Sequence, residues 1–450
     1  MAAVLAASTV TVSIAQEGEV PTRRFGLTLD QRFSATDNQA RDPDSAGVTY
    51  NSTTRLGFTA VTRNPLNQLD FSTSTALRFS ERPENSNISE IDNPRLNLNY
   101  VRSGATSTFS VSGNFRRDDI DFLQPLDDFV NEEGELEIPD DIDDLNASGT
   151  RTSYNTNMSL NLLRDAPVSL TFNYGLSGRD YSDVTDPDLF DTRTTRYGVT
   201  AGFQLGPEFD GRLSLTESRF RADNEEQTRR DRQGVTFSVD KALSKVLTGR
   251  ASIGRTEIDT DTVNGNTRTT GTNGSLGLTL ARPNGNIGLN FSNSTNVNGD
   301  RRRLNLQRSL TLPNGSLSAR IGLTRLEEGN TDTTAGLRYN QTLPSGRMAF
   351  SLDRSIRFVE EDGNDQEFLS ASASHTYDIN QISSITLRGA LSQNEDSDRT
   401  TLSVNYNYAL TEDWNLTSGY SYSTLDEDDS SRADTHQIFV GFSRRFDLPF

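Results

Sequence analysis

Three features of this 450-residue sequence predict an all-β fold: a single closed, antiparallel, up-and-down β-barrel of about 22 strands (18 to 22) that spans a membrane. Apolar and polar residues alternate with period 2 in segments of about ten residues. Tight turns and longer polar loops take turns in joining those segments. The composition is also too polar to fill ordinary soluble cores, with 32% hydrophobic residues and a mean hydropathy of −0.62. A wide barrel tolerates this, because its outer face needs one apolar residue in two over a narrow band while its interior is wet. No stretch approaches the ~20 consecutive apolar residues of a spanning helix.

Taken in order, residues 2 to 15 form a small and apolar run ending Ser13-Ile14-Ala15. It resembles the apolar region and cleavage site of a secretory signal without its basic start, so 1–15 is expected to be a signal-peptide remnant. Residues 16–22, with Glu17, Glu19 and Pro21, read as a periplasmic N-terminal segment, and 23–450 as the barrel. Phe25, Leu27, Leu29 and Phe33 share one parity, with Arg24, Thr28, Asp30 and Arg32 on the other. The pattern recurs at Tyr50 to Ala60, Leu69 to Phe79, Tyr154 to Leu162, Val168 to Leu176, Tyr197 to Leu205, Leu402 to Leu410 and Trp414 to Tyr422. It is weakest at 211–222 and 248–258.

Tight turns are expected at sites such as Asn64-Pro65, Asp165-Ala166-Pro167, Pro283-Asn284-Gly285, Pro313-Asn314-Gly315 and Pro344-Ser345-Gly346. Pro-Asn-Gly suits a type I turn followed by a left-handed glycine, the chemistry of a short hairpin. Longer polar loops are expected between them, at 35–47, 81–94, 117–149, 181–191, 223–231, 259–268, 360–366 and 425–434. The near-regular spacing of the three proline turns is hairpin repetition. A β-solenoid would use shorter coils and would not alternate tight turns with acidic loops.

The last segment, His436 to Phe450, places Ile438, Val440, Phe442, Phe446, Leu448 and Phe450 on one parity, interrupted by Arg444. This resembles the closing strand of bacterial outer-membrane β-barrels, the porin-like superfamily, whose final strand ends in Phe. The resemblance implies that Phe442, Phe446, Leu448 and Phe450 are the C-terminal signal read by the barrel-insertion machinery. It also implies that this strand pairs antiparallel with Arg23 to Ser34, and that the short turns face the periplasm and the long loops the exterior. Pro449 departs from the pattern, since it cannot donate to a ladder.

The charge is −19, from 63 acidic and 44 basic residues, and Lys241 and Lys245 are the only lysines among the latter. An acidic chain without a basic stripe is a poor nucleic-acid binder, so no nucleic-acid partner is expected. Arginines on the inward parity, Arg24, Arg32, Arg78, Arg196, Arg303, Arg338, Arg357 and Arg388, are candidates for a lumen wall, beside Asp30, Asp70, Asp240 and Asp353. Guanidinium forks paired with carboxylates hold a fixed geometry on such a wall.

The segment from Asp118 to Ser148 carries 13 acidic residues and no basic one. It resembles the third loop of general porins, which folds into the lumen. On that resemblance Asp127, Asp128, Glu132, Glu133, Asp140, Asp141, Asp143 and Asp144 would form an acidic constriction. A solvated, self-repelling surface loop is the alternative.

Only two histidines occur, His375 and His436, and no catalytic triad, metal-ligand spacing or cofactor motif is read from the sequence. Transporters with 22 strands enclose a plug, whereas residues 1–22 leave no room for one before the first strand. The expected function is an outer-membrane channel for ions and small hydrophilic solutes or a polar polymer. The alternative is a non-conducting barrel whose acidic loops bind cations or a partner. Outer-membrane lipid and lipopolysaccharide are the expected surroundings.

Overall fold

The computed structural model describes residues 22–39, 47–83, 88–119, 149–184, 189–206, 208–326, 331–359, 364–395, 397–427 and 432–448. In chain order the first strands are β1 (Thr22–Asp37), β2 (Val48–Arg63), β3 (Asn67–Glu81), β4 (Ile88–Ser103), β5 (Ser107–Asp119), β6 (Thr150–Leu162) and β7 (Val168–Ser182). Next come β8 (Thr192–Gly206), β9 (Phe209–Ala222), β10 (Arg229–Ala242), β11 (Leu247–Thr262), β12 (Gly265–Arg282), β13 (Gly285–Asn296) and β14 (Gly299–Leu312). The last are β15 (Gly315–Arg325), β16 (Thr331–Leu343), β17 (Gly346–Val359), β18 (Asn364–Asn380), β19 (Ser383–Gln393), β20 (Ser397–Ala409), β21 (Trp414–Glu427) and β22 (Ala433–Leu448). Each pairs antiparallel with the next in one 22-stranded sheet.

The sheet closes on itself. β1 pairs with β22 from Phe25 opposite Leu448 to Thr36 opposite Gln437, which is the partnership expected from the parity of the final segment. Side chains reinforce the seam: Asn38 Nδ2 donates to the Asp434 carbonyl at 2.9 Å, and Thr435 Oγ1 to the Asn38 carbonyl at 3.1 Å. Closure leaves no edge strand, so every strand's backbone is satisfied by its neighbours, as a lipid solvent demands. With strands about 4.8 Å apart and tilted by about 40°, 22 of them enclose a backbone cylinder roughly 40–45 Å across.

The weakly patterned stretches at 211–222 and 248–258 lie within β9 and β11. The proline turns form where expected. Gly285 and Gly346 have φ of 131° and 130°, and a Cβ on either would run into the carbonyl oxygen of Ser309 or Thr376 on the neighbouring strand. Asn64 Oδ1 accepts from the backbone N–H groups of Leu66 and Asn67 at 3.0 and 2.8 Å, closing the β2–β3 turn.

The outer connections correct the expected loops. Residues 259–268 are not a loop: β11 and β12 meet in a two-residue turn at Val263-Asn264. Similarly, β4 starts at Ile88, β5 runs to Asp119 and β10 starts at Arg229, so the loops expected at 81–94, 117–149 and 223–231 are shorter. Strands need only about 9–11 residues to cross a bilayer, and β12 has 18. Beyond the lipid both faces of a strand meet water, so the alternation that marks strands in sequence is not required there.

Apolar side chains point outward. Ile253 and Leu276 are each 63% exposed, and Leu27, Phe33, Leu56, Phe79, Leu402 and Ile438 are similarly open. On β22, Phe442, Phe446 and Leu448 share this outward band, while Phe450 lies outside the described residues. Arg444, the break in that parity, stacks on its neighbours: its guanidinium carbon is 5.3 Å from the Trp414 ring centroid and 4.4 Å from that of Phe446. Its apolar stem is thus covered while its charge sits against aromatic faces at the turn end of β21 and β22.

The candidate transport lumen

All eight predicted wall arginines lie on the inward parity, and small residues stand on both sides of four of them. Arg303 stands between Ser292 and Thr324, Arg338 between Ser318 and Ser351, Arg388 between Ser374 and Ser403, and Arg196 between Gly175 and Ser218. Short neighbours let each long side chain lie along the wall. Arg24 is exposed at the periplasmic end. Arg32 lies 3.8 Å over the Phe439 ring and donates to Gln437 Oε1 at 3.1 Å. Arg357 stacks 5.1 Å from Phe368, and Arg78 is buried beside Asp119 at 3.6 Å.

In the periplasmic half the four expected carboxylates meet arginines that the sequence reading passed over. Asp240 is held by Arg212 at 2.6 Å and Arg250 at 2.5 Å, bridging β9, β10 and β11. Asp353 takes Arg320 at 2.5 Å across β16, where Gly336 provides the space between them. Asp70 pairs with Arg63 at 3.5 Å, and Asp30 stands opposite Arg55. Cross-strand register, rather than parity along one strand, is the signal that finds these partners.

On the inner face of β2 to β6 a groove of about 480 Å³ is lined by Asp70, Asn97, Asn99, Asn114, Asn155 and Asn157, among others. Asn97 Nδ2 donates to Ser72 Oγ at 3.4 Å and Asn157 Nδ2 to Asn155 Oδ1 at 2.5 Å. Carboxamides carry both donors and acceptors, so this surface offers paired hydrogen bonds to hydroxyl-rich solutes without a net charge.

The outer half is built differently. Near the tops of β3 to β6, Asp118 is 3% exposed and is held by Arg116 and by Arg95 at 3.7 Å. Asp118 and Asp119 are therefore inner-wall strand residues rather than the start of the acidic loop. The residues expected to form the constriction, Asp127, Asp128, Glu132, Glu133, Asp140, Asp141, Asp143 and Asp144, lie outside the described residues.

A second outer cluster crosses the lumen. The tip of the β17–β18 hairpin brings Asp365 onto Arg301 of β14, with side chains 8% and 7% exposed, and onto Asn296 Nδ2 of β13 at 3.4 Å. Its other strand sets the Phe358 ring 5.6 Å from the Arg230 guanidinium of β10, which is equally far from Phe220. Arg232 donates to the Thr295 carbonyl at 2.8 Å, tying β10 to β13. Six strands lie between β10 and β17, and the seven inter-strand steps span an arc of roughly 40 Å along the wall. An arginine side chain cannot span that distance, so the hairpin must lean into the lumen. The sequence reading missed this, because no local pattern records contacts between residues more than sixty positions apart.

Neither histidine faces this lumen. His375 is on the outward parity of β18, and His436 bonds Tyr420 Oη at 2.7 Å beside Tyr422 on the outer wall.

No protein-family model and no curated protein sequence matches this chain. Solved structures do. The FrpB iron transporter from Neisseria meningitidis (F5-1 variant) superposes with a TM-score of 0.61 at 9% identity, over 94% of this chain and 82% of that one. The siderophore receptor PirA from Acinetobacter baumannii gives 0.56 at 8% identity over 94% and 81% of the two chains. The siderophore receptor PirA from Pseudomonas aeruginosa gives 0.51 at 9% identity over 95% and 81%. At such identities the likeness is one of fold. Together with the closed sheet and the apolar outer band, it gives this chain the fold of the outer-membrane β-barrels.

Proposed function

We propose that this barrel is an outer-membrane transport protein for polar, hydroxyl-rich solutes, entered through a narrowed outer mouth and leaving through a wide periplasmic one. The observation that carries this reading is the asparagine-lined groove of β2 to β6, where Asp70 pairs with Arg63, in a wall that carries further arginine–carboxylate pairs on β9 to β11 and β15 to β17. Such a wall replaces a solute's water by hydrogen bonds while remaining open to solvent. The β17–β18 hairpin, leaning inward, restricts size at the outer end. The structural neighbour FrpB is itself a transporter.

The burial of the outer cluster favours one competing reading, a barrel closed at that end that serves structure or surface attachment. Liposome swelling separates the two. Reconstituted protein should admit small neutral sugars at rates that fall with increasing size, and replacing Asn99 and Asn157 by Leu should slow sugars more than salts. Liposomes that stay impermeable to sugars and salts alike, with protein that keeps its heat-modifiable barrel mobility, would establish the competing reading.

A further inference from the structure

We infer that the outer wall of β8 to β10 carries a binding site for a phosphate-bearing glycolipid of the outer leaflet, built from Arg193, Arg221 and Arg229. These three stand directly opposite one another on adjacent strands: Arg193 faces Arg221, and Arg221 faces Arg229. All three are exposed and on the outward parity of Val199, Leu215 and Val235. Like charges in direct register repel, and a sheet tolerates such a row only at a cost.

Three outward arginines near the same end have local counter-charges, while Arg302 and Arg325 form a second, shorter like-charge register. Arg219 pairs with Glu217 at 2.6 Å, Arg354 with Glu367 at 2.5 Å, and Arg432 with Asp434 at 3.0 Å. Among the described residues no carboxylate pairs with Arg193, Arg221 or Arg229. Asp261 stands opposite Arg229 but accepts from Asn266, and Asp180 acts on Arg193 only at longer range. The row therefore presents three guanidinium forks to the membrane side with their donors unclaimed. Planar forks of this kind bind phosphate oxygens in pairs.

Two further features indicate a glycolipid instead of a phospholipid. The row lies four residues beyond Tyr197 on β8 and six beyond Leu215 on β9. At about 3.3 Å per residue and a tilt of about 40°, that is roughly 10–15 Å above the apolar band. A phospholipid headgroup layer is only about 5–8 Å deep, so the arginines stand at the height of a larger, saccharide head. The same cross-strand row continues to Gly178 and Tyr154. Gly178 has no side chain, and the Tyr154 ring lies over it, which puts an apolar ring face beside the arginines for a sugar to cover.

The test uses the full chain refolded in neutral detergent, with the bound glycolipid counted by native mass spectrometry. Phosphorylated lipopolysaccharide should bind wild type. Its affinity should fall roughly fivefold for each arginine removed, and on the order of a hundredfold in R193Q/R221Q/R229Q. The ion-paired control R354Q should bind as wild type does, and dephosphorylated lipopolysaccharide should bind wild type no better than phosphorylated material binds the triple variant. Should the triple variant lose its heat-modifiable mobility, R221Q alone carries the fivefold expectation. Undiminished binding by the folded variants would overturn the site. Phosphatidylglycerol binding as tightly as lipopolysaccharide, with the same dependence on the three arginines, would overturn its assignment to a glycolipid.

Discussion

The two halves of the lumen hold charges in opposite ways. In the periplasmic half Asp240, 15% exposed, lies between Arg212 and Arg250, which are 46% and 53% exposed, so the guanidinium side of its pairs meets solvent. In the outer half Arg301 and Asp365 are 7% and 8% exposed, and Asp118 is 3% exposed. The same two residue types therefore do different work. Exposed pairs contribute little to stability and set the field that a passing solute meets. Buried pairs are costly to break, and one of them, Arg301 with Asp365, holds strands that are not neighbours in the sheet. Arg301 and Asp365 join β14 to β18, whereas Arg212 and Asp240 join β9 to its immediate neighbour β10. Buried charge pairs are concentrated at the outer mouth and solvent-exposed ones at the inner.

This contrast can be broken most severely at the outer end. Asp118→Ala leaves Arg116 and Arg95, each about a third exposed, without their shared carboxylate. It should destabilise the refolded barrel by about 1–3 kcal/mol in urea unfolding, the usual cost of removing one partner of a part-buried charged hydrogen bond. Asp240→Ala, the matching change in the inner half, should cost about 1 kcal/mol or less. It should shift ion selectivity toward anions, measured as a reversal potential under a salt gradient. Equal destabilisation by the two variants would remove the distinction between the halves.

Salt supplies a milder probe. Raising ionic strength from about 0.1 to about 1 M shortens the screening length from about 10 to about 3 Å. The selectivity set by the exposed inner pairs should collapse, while the urea midpoint of wild type, carried by buried pairs, should move little. A small effect is expected at the periplasmic rim. Arg444→Leu removes its contacts with Trp414 and Phe446 at a cost of about 0.5–1 kcal/mol. Trp414 is the only tryptophan, so a shift in intrinsic fluorescence reports that change directly, and an unaltered spectrum would rule out the stacking.

Much of the inner half, and little of the outer, was legible in the sequence. Where strands cross lipid, Phe25 to Phe33 and Ile438 to Leu448 must alternate, and that requirement, with the turn-and-loop alternation, yields a closed barrel of 18 to 22 strands and the β1–β22 seam. Above the lipid the requirement lapses. Thr260, Asp261 and Arg268 continue β11 and β12 with polar residues on both faces, which reads as loop in a single sequence. Ion-pair partners such as Arg320 for Asp353 depend on register across an intervening strand, at Gly336. The hairpin contacts from Asp365 to Arg301 and from Phe358 to Arg230 depend on how far a pair of strands leans, which no periodicity encodes.

The central claim, that the β17–β18 hairpin narrows an otherwise wide polar lumen, is tested most directly by single-channel conductance in planar bilayers. Asp365→Arg places a second cation beside Arg301 and, combined with Phe358→Ala, removes both ties across the lumen. The double variant should conduct at least about twofold more than wild type, since the hairpin can then return toward the wall while the periplasmic half is unchanged. A folded double variant with wild-type conductance would contradict the claim.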